Sequence, residues 1–357
     1  MALEIFVPKT GQGDCTFIKF PNGKNMLVDF NRTDVDVDIL ELIRAKVPKK
    51  KHSDIDKTCR RINYFVNTHP HDDHIKGISA LNDDEFYIDE IWDSGHRLYV
   101  PAAEKDDYKN YYDYLDLVNK LKKRNSVKIL KAGRAPSYIG SCEVYVFAPS
   151  KYIKDGKSKV EIHDYCGALR IEYKGNAVLF AGDTNRDTWE NRIVPNYSDD
   201  KVENGKKLEN LLDSSVLHAS HHGSKYFFVN INGDDKDKYK TAMDKISPSF
   251  TVVSVGAGNK HGHPHQLAMN IYKDKTKYKR AWTTKDNKSI YFAFKNDGAI
   301  EYKKDLSADD LKSVKCTAER DDAAILSSAA TLTFNIGKEI ELELPKKLPK
   351  AKKEGYR

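Results

Sequence analysis

The densest group of potential metal ligands in the chain is residues 68–74, with the sequence THPHDDH. It follows the apolar run 62–66, which predicts a buried strand, so the group lies where a strand ends and a loop begins. Neutral imidazoles and carboxylates are poor packing material but good ligands for divalent cations. The segment therefore predicts a loop that holds two metal ions side by side.

A second apolar run, residues 177–181, ends in Gly182-Asp183. A carboxylate at a strand end, where glycine permits close approach, is well placed to bridge two metal ions. We therefore predict that Asp183 is a ligand shared by both metals.

Two further strand-like runs also end in histidines. After residues 216–219 come His221 and His222, and after residues 252–255 comes the sequence Gly-His-Pro around His263. Adjacent side chains at a strand end point in different directions, so we expect only one of the first pair to bind metal directly, with His222 preferred over His221. His263 is a candidate either for a proton donor beside the metals or for the last metal ligand.

The bulk composition restricts the class of protein. The chain has 357 residues, of which 39% are hydrophobic, and a net charge of +7. It contains no apolar run of membrane-spanning length and no basic-then-apolar signal pattern at its start, so we expect no membrane association. Five scattered cysteines are typical of reduced thiols and predict a cytoplasmic protein. The mild positive charge permits an anionic substrate such as nucleic acid without requiring one.

Strand and helix patterns alternate in mixed order, which is typical of an α/β sandwich of two sheets flanked by helices. We predict three regions: a main domain at 1–304, a small accessory element at 305–344, and a basic, disordered tail at 345–357. Helices are expected near 35–45, 75–81 and 102–123, and the polar segment 46–57 is expected to be a surface loop. Strands are expected at 3–7, 16–20, 26–29, 86–92, 127–131, 143–148, 168–173, 177–181, 215–219, 251–255, 280–283, 290–294 and 299–302.

The pattern His-x-His-x-Asp-His resembles the signature of the metallo-β-lactamase fold, an αββα sandwich. The resemblance implies that His69 and His71 bind one metal while Asp73 and His74 bind the other. It also implies that Asp183 bridges the two metals. His163 matches the third histidine of the first site in hydrolytic members, although the DNA-uptake relatives often carry an asparagine in this region.

The order of the motifs narrows the resemblance to ComEC-like hydrolases, which include the soluble domain of the competence DNA-uptake channel. The matching segments span roughly residues 3–303: GQGDC at 11–15, MLVD at 26–29, the metal motif, FAGD at 180–183, SHHGS at 220–224 and GHP at 262–264. The chain lacks a channel, so transport is not implied.

The resemblance implies a hydrolase in which two metals activate a bridging water as hydroxide. Asp73 would orient this hydroxide, and His221 or His263 would protonate the leaving group. Ser224 and Lys225 are candidate phosphate contacts, although Lys225 could equally be an ordinary surface lysine. Zinc fits the nitrogen-rich ligand set best, with manganese as the alternative.

The leading hypothesis is a phosphodiesterase or nuclease that acts on nucleic acid or another phosphodiester. The alternative enzyme hydrolyses a small phosphodiester, a phosphocholine-type ester, a lactone or a thioester. A hypothesis of another class is an interaction module that has lost catalysis.

Overall fold

The structure, a computed structural model, describes residues 1–33, 36–98, 100, 102–149, 162–203 and 205–314. The strands within these ranges are β1 (Ala2–Val7), β2 (Thr16–Lys19), β3 (Asn25–Val28), β4 (Phe30–Asn31), β5 (Lys50–His52), β6 (Lys57–Asn67), β7 (Phe86–Asp93), β8 (Val127–Ile129), β9 (Ser137–Ile139), β10 (Cys142–Ala148), β11 (Ala168–Tyr173), β12 (Asn176–Phe180), β13 (Val202–Glu203), β14 (Lys206–Lys207), β15 (Val216–His218), β16 (Phe250–Val253), β17 (Ala281–Thr283), β18 (Ser289–Lys295) and β19 (Ile300–Leu306).

The α-helices are α1 (Ile39–Lys46), α2 (Asp72–Ile75), α3 (Lys109–Lys122), α4 (Arg186–Thr188), α5 (Val194–Tyr197), α6 (Thr241–Ile246), α7 (Gln266–Lys275), α8 (Thr284–Asn287) and α9 (Ala308–Ser313). Short 3₁₀ turns cover Ile78–Asn82, Ala102–Tyr108, Ile162–Tyr165, Ser220–Gly223, Lys225–Phe227 and Lys277–Lys279. A π-helical turn, Trp189–Ile193, joins α4 to α5.

Two large mixed sheets form the centre of the molecule. The first has the order β19-β18-β1-β2-β3-β6-β7-β8, with β5 paired to β6, and the second has the order β17-β16-β15-β12-β11-β10-β9. In each sheet an antiparallel half joins a parallel half, which comprises β3-β6-β7-β8 in the first sheet and β12-β15-β16-β17 in the second. The carboxyl ends of parallel strands meet at one edge, so each sheet gathers its strand-end loops there.

Three hydrophobic clusters separate the layers. One lies between the sheets and joins residues such as Leu3 and Ile5 of β1 to Leu169 and Ile171 of β11. A second packs α1, α3 and α9 on the outer face of the first sheet, and a third packs α6, α7 and the 186–197 helical segment on the second. The predicted αββα sandwich is therefore confirmed. No helix in the described ranges is long and apolar enough to cross a membrane.

Several element predictions need correction. Residues 46–57 do not form a loop throughout, because β5 pairs with the start of β6 as a hairpin whose Lys50 and Lys51 are exposed. Backbone pairing holds this hairpin without apolar side chains, so hydropathy could not reveal it. The helix expected at 102–123 is a 3₁₀ turn followed by α3, whose Tyr111 and Tyr114 are buried packing residues.

The chain beyond residue 304 continues into the main domain for the next ten residues. Strand β19 crosses the predicted boundary and pairs with β18 as far as Leu306. Helix α9 then packs on the first sheet through Leu311, which is fully buried. Most of the predicted accessory element and the whole predicted tail lie outside the described residues.

Candidate metal centre

Most of the potential ligands come from the carboxyl ends of parallel strands in both sheets, whereas His163 lies in the 3₁₀ turn Ile162–Tyr165 before β11. Strand β6 leads to the 68–74 loop, β12 leads to Asp183, and β15 leads to His221 and His222. Because the two sheets face each other, their strand-end loops meet at one edge of the sandwich. Residues about 150 positions apart in sequence thereby become neighbours.

One group of donor atoms consists of His69, His71, His163 and Asp183, whose ligand atoms all lie within 4.8 Å of one another. His69 Nε2 is 2.9 Å from His71 Nδ1 and 3.6 Å from Asp183 Oδ2. The His163 ring lies 5.4 Å from the His71 ring, centroid to centroid. Three imidazoles and one carboxylate make a ligand set suited to a tetrahedral Zn²⁺ site.

A second group consists of Asp73, His74 and His222. His222 Nε2 is 3.1 Å from Asp73 Oδ2, and His74 Nε2 is 4.0 Å from Asp73 Oδ1. Asp183 Oδ1 lies 3.2 Å from His74 Nε2 and 3.9 Å from His222 Nε2. The two oxygens of Asp183 therefore face different groups, as a bridging ligand requires.

Buried atoms without hydrogen-bond partners test whether these residues fit metal ions. His74 Nε2, His222 Nε2 and Asp183 Oδ1 are buried and make no hydrogen bond among the described residues, although both nitrogens lie within 4 Å of Asp183 Oδ1. Buried polar atoms are nearly always satisfied. Their convergence in a geometry unsuited to hydrogen bonding is what a metal site needs, so these residues fit the metal that the sequence predicts.

The protonation states differ between the two groups. Burial, assisted by the nearby His163, lowers the pKa of His71 to about 3, and burial also lowers the pKa of His69 well below its usual value. Both imidazoles are therefore neutral at physiological pH, which is the metal-binding form. Burial would also lower the pKa of His74, but Asp183 and Asp29 outweigh it and raise that pKa well above its usual value. A cation at this position would displace a proton.

Asp29, directly after β3, orients His74. Its Oδ2 lies 2.8 Å from His74 Nδ1 and accepts a 2.7 Å hydrogen bond from Thr68 Oγ1, while its Oδ1 accepts a 2.7 Å bond from the Thr68 backbone N–H. A histidine that donates Nδ1–H to a carboxylate presents an unprotonated Nε2 to a metal. Asp29 thus fixes both the ring orientation and the tautomer of His74.

Asp14 and Ser254 hold His222 in a similar way. His222 Nδ1 donates to the Ser254 carbonyl at 3.0 Å and lies 3.4 Å from Asp14 Oδ1. The Asp14 backbone N–H donates to the Asp73 carbonyl at 3.0 Å, which ties the Gly13-Asp14 turn to the metal loop. His218, buried in β15, lies 3.9 Å from the same Asp14 carboxylate and is a packed residue.

Cys166 and Gly182 position the Asp183 carboxylate. The Cys166 Sγ accepts the Asp183 N–H at 2.9 Å and lies 3.5 Å from His69 Nδ1. Gly182 has φ +53°, and a Cβ there would stand 2.5 Å from the Gly167 carbonyl oxygen. The glycine is thus required by both backbone conformation and close packing.

His221 and His222 do not follow strand alternation. Strand β15 ends at His218, and both histidines have left-handed backbone angles, φ +50° and +51°. This turn directs both side chains toward Asp183, with His221 Nε2 3.7 Å from Asp183 Oδ2. The premise that adjacent side chains diverge at a strand end is therefore wrong here, because the residues are not in a strand.

The remaining predicted site residues lie at the rim or are engaged elsewhere. The His263 ring is 5.3 Å from that of His221, so it borders the centre. Ser224 is fully buried and its Oγ accepts the Tyr226 N–H, while Lys225 Nζ forms an ion pair with Asp235 at 2.9 Å. Neither residue is positioned here as a phosphate contact.

Sequence reasoning gave no role to Asp14, Asp29 or Cys166. The signal for the two aspartates is their position beside apolar strands, because Asp14 lies just before β2 and Asp29 directly after β3. A carboxylate buried at such a position needs a partner. Cys166 had no such signal, since a lone cysteine before a strand is common.

No protein-family model and no curated protein sequence matches the chain. Among solved structures it is similar to the metallo-β-lactamase fold protein YhfI from Bacillus subtilis, with 12% identity and a TM-score of 0.45 over 85% of this chain and 100% of that one. It is similar to Zn²⁺-bound PqqB from Methylobacterium extorquens, with 11% identity and a TM-score of 0.42 over 80% of this chain and 99% of that one. It is also similar to a diphosphatase from the PhnP family, with 12% identity and a TM-score of 0.39 over 82% and 98%. Because these sequence identities and TM-scores are low, the comparisons carry no argument about the function of this chain.

Proposed function

We propose that this protein is a metal-dependent hydrolase that binds two divalent metal ions and cleaves phosphodiesters. The observation that carries the proposal is the convergence of seven side chains in two groups, with Asp183 of the first group also within 4 Å of His74 and His222 of the second, and with buried donor atoms that no hydrogen bond satisfies. A structural site would need four ligands, closed to solvent. Here the residues at the mouth, such as Asp73 at 30% and His221 at 20% side-chain exposure, leave one side open.

The ligands divide between the two proposed metals. His69, His71 and His163 would hold the first, Asp73, His74 and His222 would hold the second, and Asp183 would serve both. The nitrogen-rich set favours zinc, with manganese as the alternative. Bound at these positions, the two ions would supply Lewis acidity, which lowers the pKa of water and stabilises charge that develops on oxygen.

The residues of the chain supply orientation and proton transfer. Asp73, which lies beside His222 and accepts the Asp14 N–H through its backbone carbonyl, would direct the attacking water. His221 and His263 stand at the mouth, with their rings 5.3 Å apart, and either could donate a hydrogen bond or a proton to the leaving oxygen. His263 Nδ1 is buried and makes no hydrogen bond among the described residues, so it is available for such a contact.

A phosphodiester, and in particular nucleic acid, fits the charge of the molecule. The chain carries 60 basic and 53 acidic residues, which favours an anionic substrate. A small ester remains the alternative substrate, and an interaction module without catalysis the alternative of another class.

The test compares the wild type with Asp183→Asn, which keeps the side-chain shape but removes the shared charge. Glu4→Gln is a matched control, because Glu4 is also a fully buried carboxylate but contacts Tyr291 rather than the centre. Each protein is incubated with Zn²⁺ or Mn²⁺ and with single-stranded DNA, plasmid DNA, bis-p-nitrophenyl phosphate and p-nitrophenylphosphocholine.

We expect the wild type and Glu4→Gln to cleave DNA and the simple diester, and Asp183→Asn to be at least a hundredfold slower, as for loss of a group acting on the transition state. Cleavage of the small esters alone would shift the substrate to the alternative. No cleavage of any substrate by the wild type, with its metals bound, would refute the hydrolase.

A further inference from the structure

An aromatic and cationic cluster lies at the end of the second sheet opposite the metal centre. Three aromatic rings lie against Arg280 and a fourth packs against two of them, and we call these five residues the Arg280 cluster. The guanidinium carbon of Arg280 is 4.9 Å from the Tyr278 ring centroid, 5.0 Å from that of Phe250 and 5.6 Å from that of Tyr302. Trp282 completes the cluster, with its ring 5.4 Å from Tyr302.

The inner part of the cluster is ordinary packing, but the outer part is not. Phe250 is buried at 4% exposure, whereas Tyr302 is 40% exposed and Tyr278 is 81% exposed. A tyrosine that served only to close the hydrophobic core would not leave four-fifths of its surface in water. The outer face of Tyr278 is therefore a free aromatic surface that the guanidinium supports from one side.

The backbone at Tyr278 is unusual for so large a residue. Tyr278 has φ +58° and Lys279 has φ +54°, so two consecutive residues with side chains occupy the left-handed region. Bulky residues rarely adopt this conformation, and it persists only where the surroundings enforce it. The conformation projects the Tyr278 ring outward between Lys277 and Lys279, both of which are exposed.

We infer that the Arg280 cluster is a stacking site for the unpaired bases of single-stranded nucleic acid. Aromatic faces next to cationic side chains bind such strands without sequence preference, because every base has a π face and every phosphate a negative charge. Three of the four consecutive residues 277–280 are cationic, which complements a phosphate backbone. This inference rests on the proposed function and names the class of its substrate.

A ligand that contacts both the Arg280 cluster and the metal centre must be a polymer, because the two lie at opposite ends of the second sheet. Strands β16 and β17 run parallel from the cluster toward the metal centre, where Thr284 Oγ1 accepts the Val255 N–H next to the Ser254 carbonyl that holds His222. From residue 280 to residue 284 the chain advances about 13 Å at ~3.3 Å per residue. A strand of several nucleotides can span this distance, and a small diester cannot.

The test measures binding separately from hydrolysis. Fluorescence anisotropy with a labelled 20-nucleotide oligothymidylate in EDTA reports affinity without turnover, and the same strand as RNA and as a duplex tests selectivity. The variants are Tyr278→Ala and Tyr278→Trp, with Tyr138→Ala as the matched control. Tyr138 is also exposed, at 64%, but it lies on β9 at the far edge of the same sheet.

We expect Tyr278→Ala to weaken single-strand binding at least fivefold, the effect of losing one stacked base, while Tyr278→Trp and Tyr138→Ala bind as the wild type does. Duplex binding should not change. With metal present, the KM for the oligonucleotide should rise in Tyr278→Ala, whereas kcat and the hydrolysis of bis-p-nitrophenyl phosphate stay the same.

Equal affinity of Tyr278→Ala and the wild type would overturn the inference, as would absence of single-strand binding by the wild type. A loss of self-association in Tyr278→Ala with unchanged DNA binding would assign the surface to contacts between protein molecules and would also overturn it. Failure of the proposed hydrolase is separate, because it would appear as absent hydrolysis of the simple diester in every variant.

Discussion

Replacing Asp29 with asparagine should weaken metal binding although Asp29 is not itself among the seven proposed ligands. In the wild type, His74 Nδ1–H donates to Asp29 Oδ2 at 2.8 Å, so Nε2, on the side of Asp183, is the nitrogen that gives up its proton when a metal binds. The amide oxygen of asparagine can keep the bond from the Thr68 N–H, but the NH₂ group then faces His74. Since NH₂ cannot accept a hydrogen bond, the substitution favours the tautomer with the proton on Nε2, the atom that must bind metal.

The expected loss is about 10- to 100-fold in Zn²⁺ affinity, that is roughly 1.4 to 2.7 kcal/mol, as is typical for residues that orient a metal-bound histidine. Affinity is measured by competition with a chromophoric chelator at fixed pH, and thermal unfolding of the metal-free proteins is followed by circular dichroism. Glu4→Gln serves as the control for loss of a buried carboxylate. An Asp29→Asn affinity within twofold of the wild type, or an equal loss in Glu4→Gln, would refute this role for Asp29.

Two further predictions concern the scaffold. Hydrogen bonds from Arg44 and Arg60 lower the pKa of Glu85 to about 2, so its stabilising effect is complete above the unfolded-state pKa of about 4.3 and is lost as the pH falls toward 2. Glu85→Gln should therefore lower the free energy of unfolding by about 1–2 kcal/mol at pH 7 and by almost nothing at pH 2, measured by urea titration; a loss independent of pH would contradict this. Gly182→Ala, whose Cβ would meet the Gly167 carbonyl and Cys166 Sγ, should cost about 2–4 kcal/mol, whereas Gly175→Ala, with a similar φ of +77° but open space, should cost about 1–2 kcal/mol. Equal effects in the two glycine variants would show that the contact at Gly182 is unimportant.

The parts of the centre that the sequence could predict are those with short-range patterns. The 68–74 loop and Asp183 each follow an apolar run, so their place at a strand end could be inferred from local alternation and glycine. The structure brings them together because the two sheets face each other with the carboxyl ends of their parallel strands at the same edge of the sandwich. The fold class could be predicted for the same reason, since the mixed order of strands and helices allows few layer arrangements.

Other features depend on contacts that no local pattern contains. The left-handed turn at His221 and His222 is held by the backbone hydrogen bond from the His221 N–H to the Gly182 carbonyl, which joins the loops that follow the neighbouring strands β12 and β15. Asp14 reaches His222 over two hundred residues of chain, and Arg280 meets Tyr302 only because β17 and β19 lie in facing sheets. Such pairings arise from the tertiary fold, so the sequence alone could not assign roles to these residues.

The most direct test of the proposed centre is the number of metal ions that each chain retains. The wild type, Asp183→Asn and Glu4→Gln are equilibrated with Zn²⁺, freed of excess metal by gel filtration and analysed by mass spectrometry for zinc per chain. We predict two zinc ions in the wild type and in Glu4→Gln, and at most one in Asp183→Asn, because the two carboxylate oxygens of Asp183 face both groups of ligands. No bound zinc or manganese in the wild type, or two zinc ions retained by Asp183→Asn, would contradict the two-metal centre.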